Sequence, residues 1–100
     1  MMTDRPARHY GLCGRGRIES GYHADLVVFD PETVDSGPAR LVADMPGGGE
    51  RLVADSVGVA HVVVAGTEVV ADGVVNGDRP GRVLRSGTET ETVTLADVRR

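Results

Sequence analysis

Apolar residues in this chain fall into short blocks separated by glycine, proline and aspartate, and the longest blocks show little polar alternation. The clearest block is Ala24-Asp25-Leu26-Val27-Val28-Phe29-Asp30. Leu26 to Phe29 is apolar without a break, which predicts a strand covered on both faces. Asp30-Pro31 ends it, because proline has no N–H for a ladder and biases its predecessor away from helix. A second block, Val59 to Ala71, predicts a hairpin. Val59–Ala65 pairs there with Glu68–Ala71 across Gly66-Thr67, a Gly-X loop of type II′.

Weaker signals fill the rest. Thr3 or Asp4 can cap a short helix, with Pro6 in its first turn, Ala7 to Tyr10 continuing it and Gly11 stopping it. Gly16 to Glu19 reads as a brief strand closed by Ser20-Gly21, and Arg82 to Arg85 as another. Asp72-Gly73 and Asn76-Gly77 mark turns. Thr88 to Leu95 alternates threonine with Glu89, Glu91, Val93 and Leu95, which suits a charge-protected edge strand and a solvated tail equally. Ala96 to Arg100 is expected to fray. Between the two main blocks, Ser36-Gly37-Pro38 and Met45-Pro46-Gly47-Gly48-Gly49 are strong loop signals. Pro31–Gly58 is therefore read as a long central loop, with one short strand at Arg40–Val42.

Composition supports a mainly β reading. The aromatic residues are Tyr10, Tyr22 and Phe29, so any core is aliphatic, and mostly valine, which favours pleated surfaces. One hundred residues make one domain, whereas a (β/α)₈ barrel takes roughly 200 or more. The net charge of −4 argues against nucleic acid or an anionic membrane surface as partner. No apolar run approaches the ~18 residues of a membrane span, and Met1 to Pro6 lacks the apolar region of a signal peptide. A cytoplasmic domain is the expectation.

Candidate chemistry is sparse. His9, His23 and His61 fall on three separate segments with no ligand spacing between them, whereas a zinc site needs converging donors. Cys13, the single cysteine, excludes an internal disulfide. Arg15 and Arg17 flank it and favour a thiolate, but no base is paired with it in the sequence. Asp25 and Asp30 bracket the main strand; five residues of strand place them about 16 Å apart, too far for a cooperating carboxylate pair. Gly47-Gly48-Gly49 and Gly14-Arg15-Gly16 lack the lysine and spacing of phosphate-binding loops. No catalytic, cofactor-binding or metal-binding residue is assigned.

Taken in order, several segments resemble one family. They are Thr3-x-x-Pro6-Ala7, Gly11-Leu12, Arg15-Gly16-Arg17-Ile18, Gly21, Ala24–Asp30, the run from His61 to Gly73, and Pro80-Gly81-Arg82-Val83-Leu84-Arg85. Together they resemble the segment that follows the barrel in amidohydrolases of the N-acyl-D-amino-acid deacylase (D-aminoacylase) type, with Ala65 where that pattern usually has asparagine. The resemblance implies a partial β-sandwich, the composite small domain of the superfamily, whose other strands precede the barrel. It implies a zinc-dependent barrel in the complete enzyme, hydrolysing non-peptide C–N amide bonds. The H-x-H pair and catalytic aspartate of the pattern have no counterpart here. Residues 1–100 are thus expected to form one accessory β domain, without cofactor or catalysis of its own. Its expected partner is another copy of itself or a separately encoded amidohydrolase barrel. The alternative is a small β binding or oligomerisation module with no enzymatic role.

Overall fold

A computed structural model describes residues 2–98, apart from the side chain of Val98. The chain is mainly β and does not close into a barrel. A short helix α1 (Asp4–His9) opens it, followed by β1 (Leu26–Phe29), β2 (Asp35–Ser36), β3 (Arg40–Met45), a 3₁₀ turn (Pro46–Gly48), β4 (Gly49–Val53), β5 (Ser56–Val57), β6 (Val59–Val64), β7 (Thr67–Ala71), β8 (Val74–Val75) and a helical turn α2 (Leu95–Val98).

The main sheet is antiparallel, with spatial order β1-β6-β7-β8. Its centre is β6, whose six residues are all half-buried. Directly opposed residues share a face, so the register Val27–Val62–Val70–Val75 lays one valine row across all four strands. The β6–β7 reversal is Ala65-Gly66, with Val64 opposite Thr67 and both loop residues at positive φ, 49° and 79°. That is a type I′ loop, one residue earlier than the Gly66-Thr67 reversal expected. Its twist matches the flanking strands, and this outweighs the left-handed conformation imposed on Ala65.

The central segment corrects the expectation of a long loop. Pro31–Gly58 carries two nested ladders, β2 with β5 and β3 with β4, so the short strand at Arg40–Val42 is the start of a longer one. The Pro46-Gly47-Gly48-Gly49 loop signals fall on the turn at the ribbon tip and leave the strands on each side intact. Asp44 takes both ends of the Arg51 guanidinium at 2.7 Å, and Arg40 reaches Asp55 at 2.7 Å.

Two short strands expected from apolar content do not form. Gly16–Glu19 and Arg82–Arg85 join no ladder among the described residues, and Ile18 is 91% exposed: apolar content alone does not make a strand without a paired edge. Thr88–Leu95 takes neither of its two expected forms. Leu12 and Thr90 form a single bridge, flanked by hydrogen bonds from Cys13 N–H to the Glu89 carbonyl and from Glu91 N–H to the Gly11 carbonyl. Of the Ala96–Arg100 tail expected to fray, the first three residues belong to the helical turn Leu95–Val98, while Arg99 and Arg100 lie outside the described residues.

The fold has almost no interior. Ala7 is the one buried apolar side chain among the described residues, and no large side chain is fully buried. The accessible surface is 8001 Å², where a compact monomer of this mass exposes about 5,400 Å². The radius of gyration is 16.9 Å, against about 13 Å for a compact 100-residue domain. The cover expected on both faces of Leu26–Phe29 is not supplied within these residues: β1 is a sheet edge, and Val27, Val28 and Phe29 stay 56%, 53% and 50% exposed.

Candidate functional site

The densest polar constellation surrounds Asp25, the residue just before β1. One carboxylate oxygen accepts the Ala65 N–H at 2.9 Å, and the other accepts the Arg15 guanidinium at 2.5 Å. The Gly66 N–H donates to the Ala24 carbonyl at 3.0 Å beside it. Three segments far apart in sequence are thereby tied at one point: the Arg15 loop, the entry to β1 and the β6–β7 turn. The Ala65 N–H and the Arg15 charge hold the Asp25 carboxyl below the usual carboxylate range, against the opposing effect of partial burial. Arg15 is itself largely buried, and its Nε has no hydrogen-bond partner. His23 closes the loop from the other side, its backbone N–H bonded to the Gly14 carbonyl at 2.8 Å.

A second cluster joins α1 to the C-terminal segment. Asp4 accepts Arg17 at 2.6 Å and also pairs with Arg8; both arginines keep its carboxyl below the ordinary range, Arg17 foremost. Gly11 is buried at φ +67°, and a Cβ there would stand 2.2 Å from the Glu91 carbonyl oxygen. Only glycine permits this backbone approach. Between α1, the residue 11–17 loop and residues 91–97 runs an open groove of about 460 Å³, with Asp4, Arg8 and Arg17 on its walls.

The residues singled out from sequence are kept apart. His9 meets the Tyr10 ring edge-on at the end of α1, His23 sits in the Arg15 loop, and His61 lies on β6 with Glu68 at 3.2 Å and Asp72 at 3.8 Å. Among the described residues, no three His, Cys, Asp or Glu side chains form a group able to hold a metal ion. The Cys13 thiol contacts the Gly11 carbonyl at 3.7 Å, and the flanking arginines turn to carboxylates instead, Arg15 to Asp25 and Arg17 to Asp4. Asp25 and Asp30 occupy opposite ends of β1, and Asp30 accepts the Glu32 N–H at 2.9 Å as a turn residue. Gly47–Gly49 form the ribbon tip, and Gly14-Arg15-Gly16 the loop that presents Arg15 to Asp25.

The arrangement holds segments together. Sequence reasoning missed the Arg15–Asp25–Ala65 knot, because its closing contact spans 40 residues. The available signal was a carboxylate at the mouth of an apolar strand. The segments so tied are those shared with known proteins: the amidohydrolase family model matches residues 1–70, from α1 into β7.

The chain belongs to the amidohydrolase family. Within it, a 33-residue stretch is 61% identical to D-aminoacylase of Alcaligenes xylosoxydans xylosoxydans, covering 33% of this chain and 7% of that protein. The N-acyl-D-aspartate and N-acyl-D-glutamate deacylases of the same organism are each 58% identical over 33 residues, with the same coverage. This amidohydrolase chain thus matches only a small fraction of the length of those relatives. No solved structure matches it. No helix among the described residues is long and apolar enough to cross a membrane.

Proposed function

We propose that this chain is the β portion that follows the barrel in an amidohydrolase of the N-acyl-D-amino-acid deacylase type, and that it completes the fold of a hydrolase without carrying its chemistry. One observation carries the reading. The chain makes an ordered sheet with a continuous valine row, yet keeps about 2,600 Å² more surface in water than a compact monomer of its mass. Such a sheet is one layer of a two-layer body, since an apolar face needs an opposing layer.

In the complete enzyme, zinc would activate the water that hydrolyses the amide. The residues present here do not fit that metal: His9, His23 and His61 lie on separate elements, and no step of hydrolysis is assigned to them. The work of these residues is positional. Asp25 fixes the β6–β7 turn to the start of β1, which sets the register of Val27 against Val62 and so the shape of the valine row.

The test is complementation. The Alcaligenes D-aminoacylase, shortened by the region corresponding to this chain, is co-expressed with the chain, and hydrolysis of N-acyl-D-amino acids is followed. The expected result is co-elution of the two and restored turnover, with none from the chain alone. Turnover or stoichiometric zinc in the isolated chain, or a compact monomer by sedimentation, would overturn the proposal.

A further inference from the structure

Asn76-Gly77, a turn signal in the sequence, fastens the far end of the main sheet. β8 is only Val74 and Val75, which oppose Ala71 and Val70 of β7 and are 67% and 72% exposed. Asn76, the next residue, extends that contact with both backbone and side chain. Its N–H donates to the Val69 carbonyl at 3.0 Å, and its Nδ2 donates to the Glu68 carbonyl at 2.6 Å. Its Oδ1 accepts the Asp78 N–H at 2.9 Å, which turns the chain away from the sheet. Each end of the side-chain amide thus meets the partner its chemistry requires.

The same residue is chemically labile. Asparagine is a thermolabile residue, most of all before glycine, where no side chain obstructs the backbone nitrogen that attacks its amide. Asn76 and Gly77 are both exposed, Gly77 is at φ +88°, and nothing lies within 4 Å of where its Cβ would stand. In the reaction the Gly77 nitrogen bonds to Asn76 Cγ, the Cγ–Nδ2 bond breaks, and Nδ2 leaves as ammonia with the proton from Gly77. Water then opens the cyclic imide at either carbonyl, giving aspartate or isoaspartate. Water enters, ammonia leaves, and nothing is oxidised or reduced. The atom that leaves, Nδ2, is the one bound to β7. The fold therefore opposes the reaction while β8 is fastened, and the reaction removes the fastening once it occurs. A carboxylate oxygen in that place would set a second acceptor against the Glu68 carbonyl, with no proton to share.

We infer that Asn76 is a site of spontaneous deamidation gated by the β7–β8 corner, and that conversion releases β8 irreversibly. This does not depend on the function proposed above. The chain holds one asparagine and no glutamine, so any side-chain ammonia it releases comes from Asn76. Intact mass and ammonia are followed at neutral pH for the folded chain and for the chain in urea. Amide exchange at residues 74–76 is compared between the wild type and Asn76→Asp. Conversion should go to completion in urea and run about fivefold or more slower in the folded chain, the factor that one ordinary hydrogen bond supplies. Exchange at residues 74–76 should be about fivefold or more faster in Asn76→Asp, with the β6 amides within about twofold of wild type. No conversion in urea overturns the site. Equal rates with and without urea overturn the gate, and unchanged exchange in Asn76→Asp overturns the release of β8. Loss of β6 protection together with β8 in Asn76→Asp would make the sheet one unit and overturns the local latch.

Discussion

The β6–β7 hairpin and the β3–β4 ribbon are both antiparallel pairs of short strands, yet they are held by different physics. β6 lies between β1 and β7, is half-buried along its whole length, and is built largely of valine. Its turn is pinned from outside by Asp25. Among the described residues the ribbon has no third strand beyond it; its ladder is laced by arginine–aspartate pairs at the surface, where solvent screens them. One pair belongs to a four-stranded sheet, and the other is a ladder of two strands. The difference lies in neighbours, since both have sound turns and paired backbones.

Substitution at the joint between the two regions breaks the comparison most directly. Gly58 lies between β5, in the short β2–β5 ladder at the base of the ribbon, and β6; its φ is +77°, its carbonyl accepts the Asp30 N–H at 2.9 Å, and a Cβ there would stand 2.6 Å from the Val34 nitrogen. Gly58→Val combines a left-handed β-branched residue with a backbone clash and should cost about 3 kcal/mol. Hydrogen exchange should show the ribbon amides unprotected and the β6 amides retained. Equal loss in both regions would make them one cooperative unit.

The Asp25 knot comes next. Asp25→Ala leaves the Ala65 N–H and the Arg15 guanidinium without their shared acceptor and should cost about 1–2 kcal/mol, read in β6–β7 exchange and not in the ribbon. The pH dependence has a definite sign. A carboxyl held below its ordinary pKa of about 3.9 contributes stability fully above that value and loses it as pH falls through the folded value. The hairpin turn should therefore loosen in acid below about pH 4 in the wild type, and Asp25→Asn should flatten that limb. An unchanged acid limb in Asp25→Asn would assign it to another carboxylate.

These regions also differ in how far sequence reveals them. β1 and the β6–β7 hairpin are legible because their apolar residues are continuous and their turn glycines sit at the ends. The ribbon is not, because Leu41 and Leu52 find each other across 11 positions and the glycines between them resemble a loop. Gly16–Glu19 and Arg82–Arg85 mislead for the opposite reason: suitable residues make no strand without a neighbouring edge, and strand preference is a matter of context. The family segments are legible as an ordered set. What they do, tying Arg15 to Asp25 and Asp25 to Ala65, is a long-range geometry that no local pattern encodes.

The smallest effect tests whether the better-supported hairpin has any slack. Ala65 sits at φ +49° in the I′ loop, a conformation that disfavours an ordinary side chain but suits asparagine, whose short amide bonds locally. Ala65→Asn keeps the N–H that Asp25 accepts and should stabilise the hairpin by about 0.5–1 kcal/mol, slowing exchange at Val64 and Thr67. Ala65→Gly also relieves the left-handed strain, but its freer unfolded chain returns part of that gain, so it should stabilise less. The order asparagine, glycine, alanine in thermal stability identifies turn strain as the cause. Were asparagine to gain nothing over alanine, the Asp25 and Ala24 contacts would already dictate the turn, and the sheet would owe its register to that knot more than to the conformational preference of its loop.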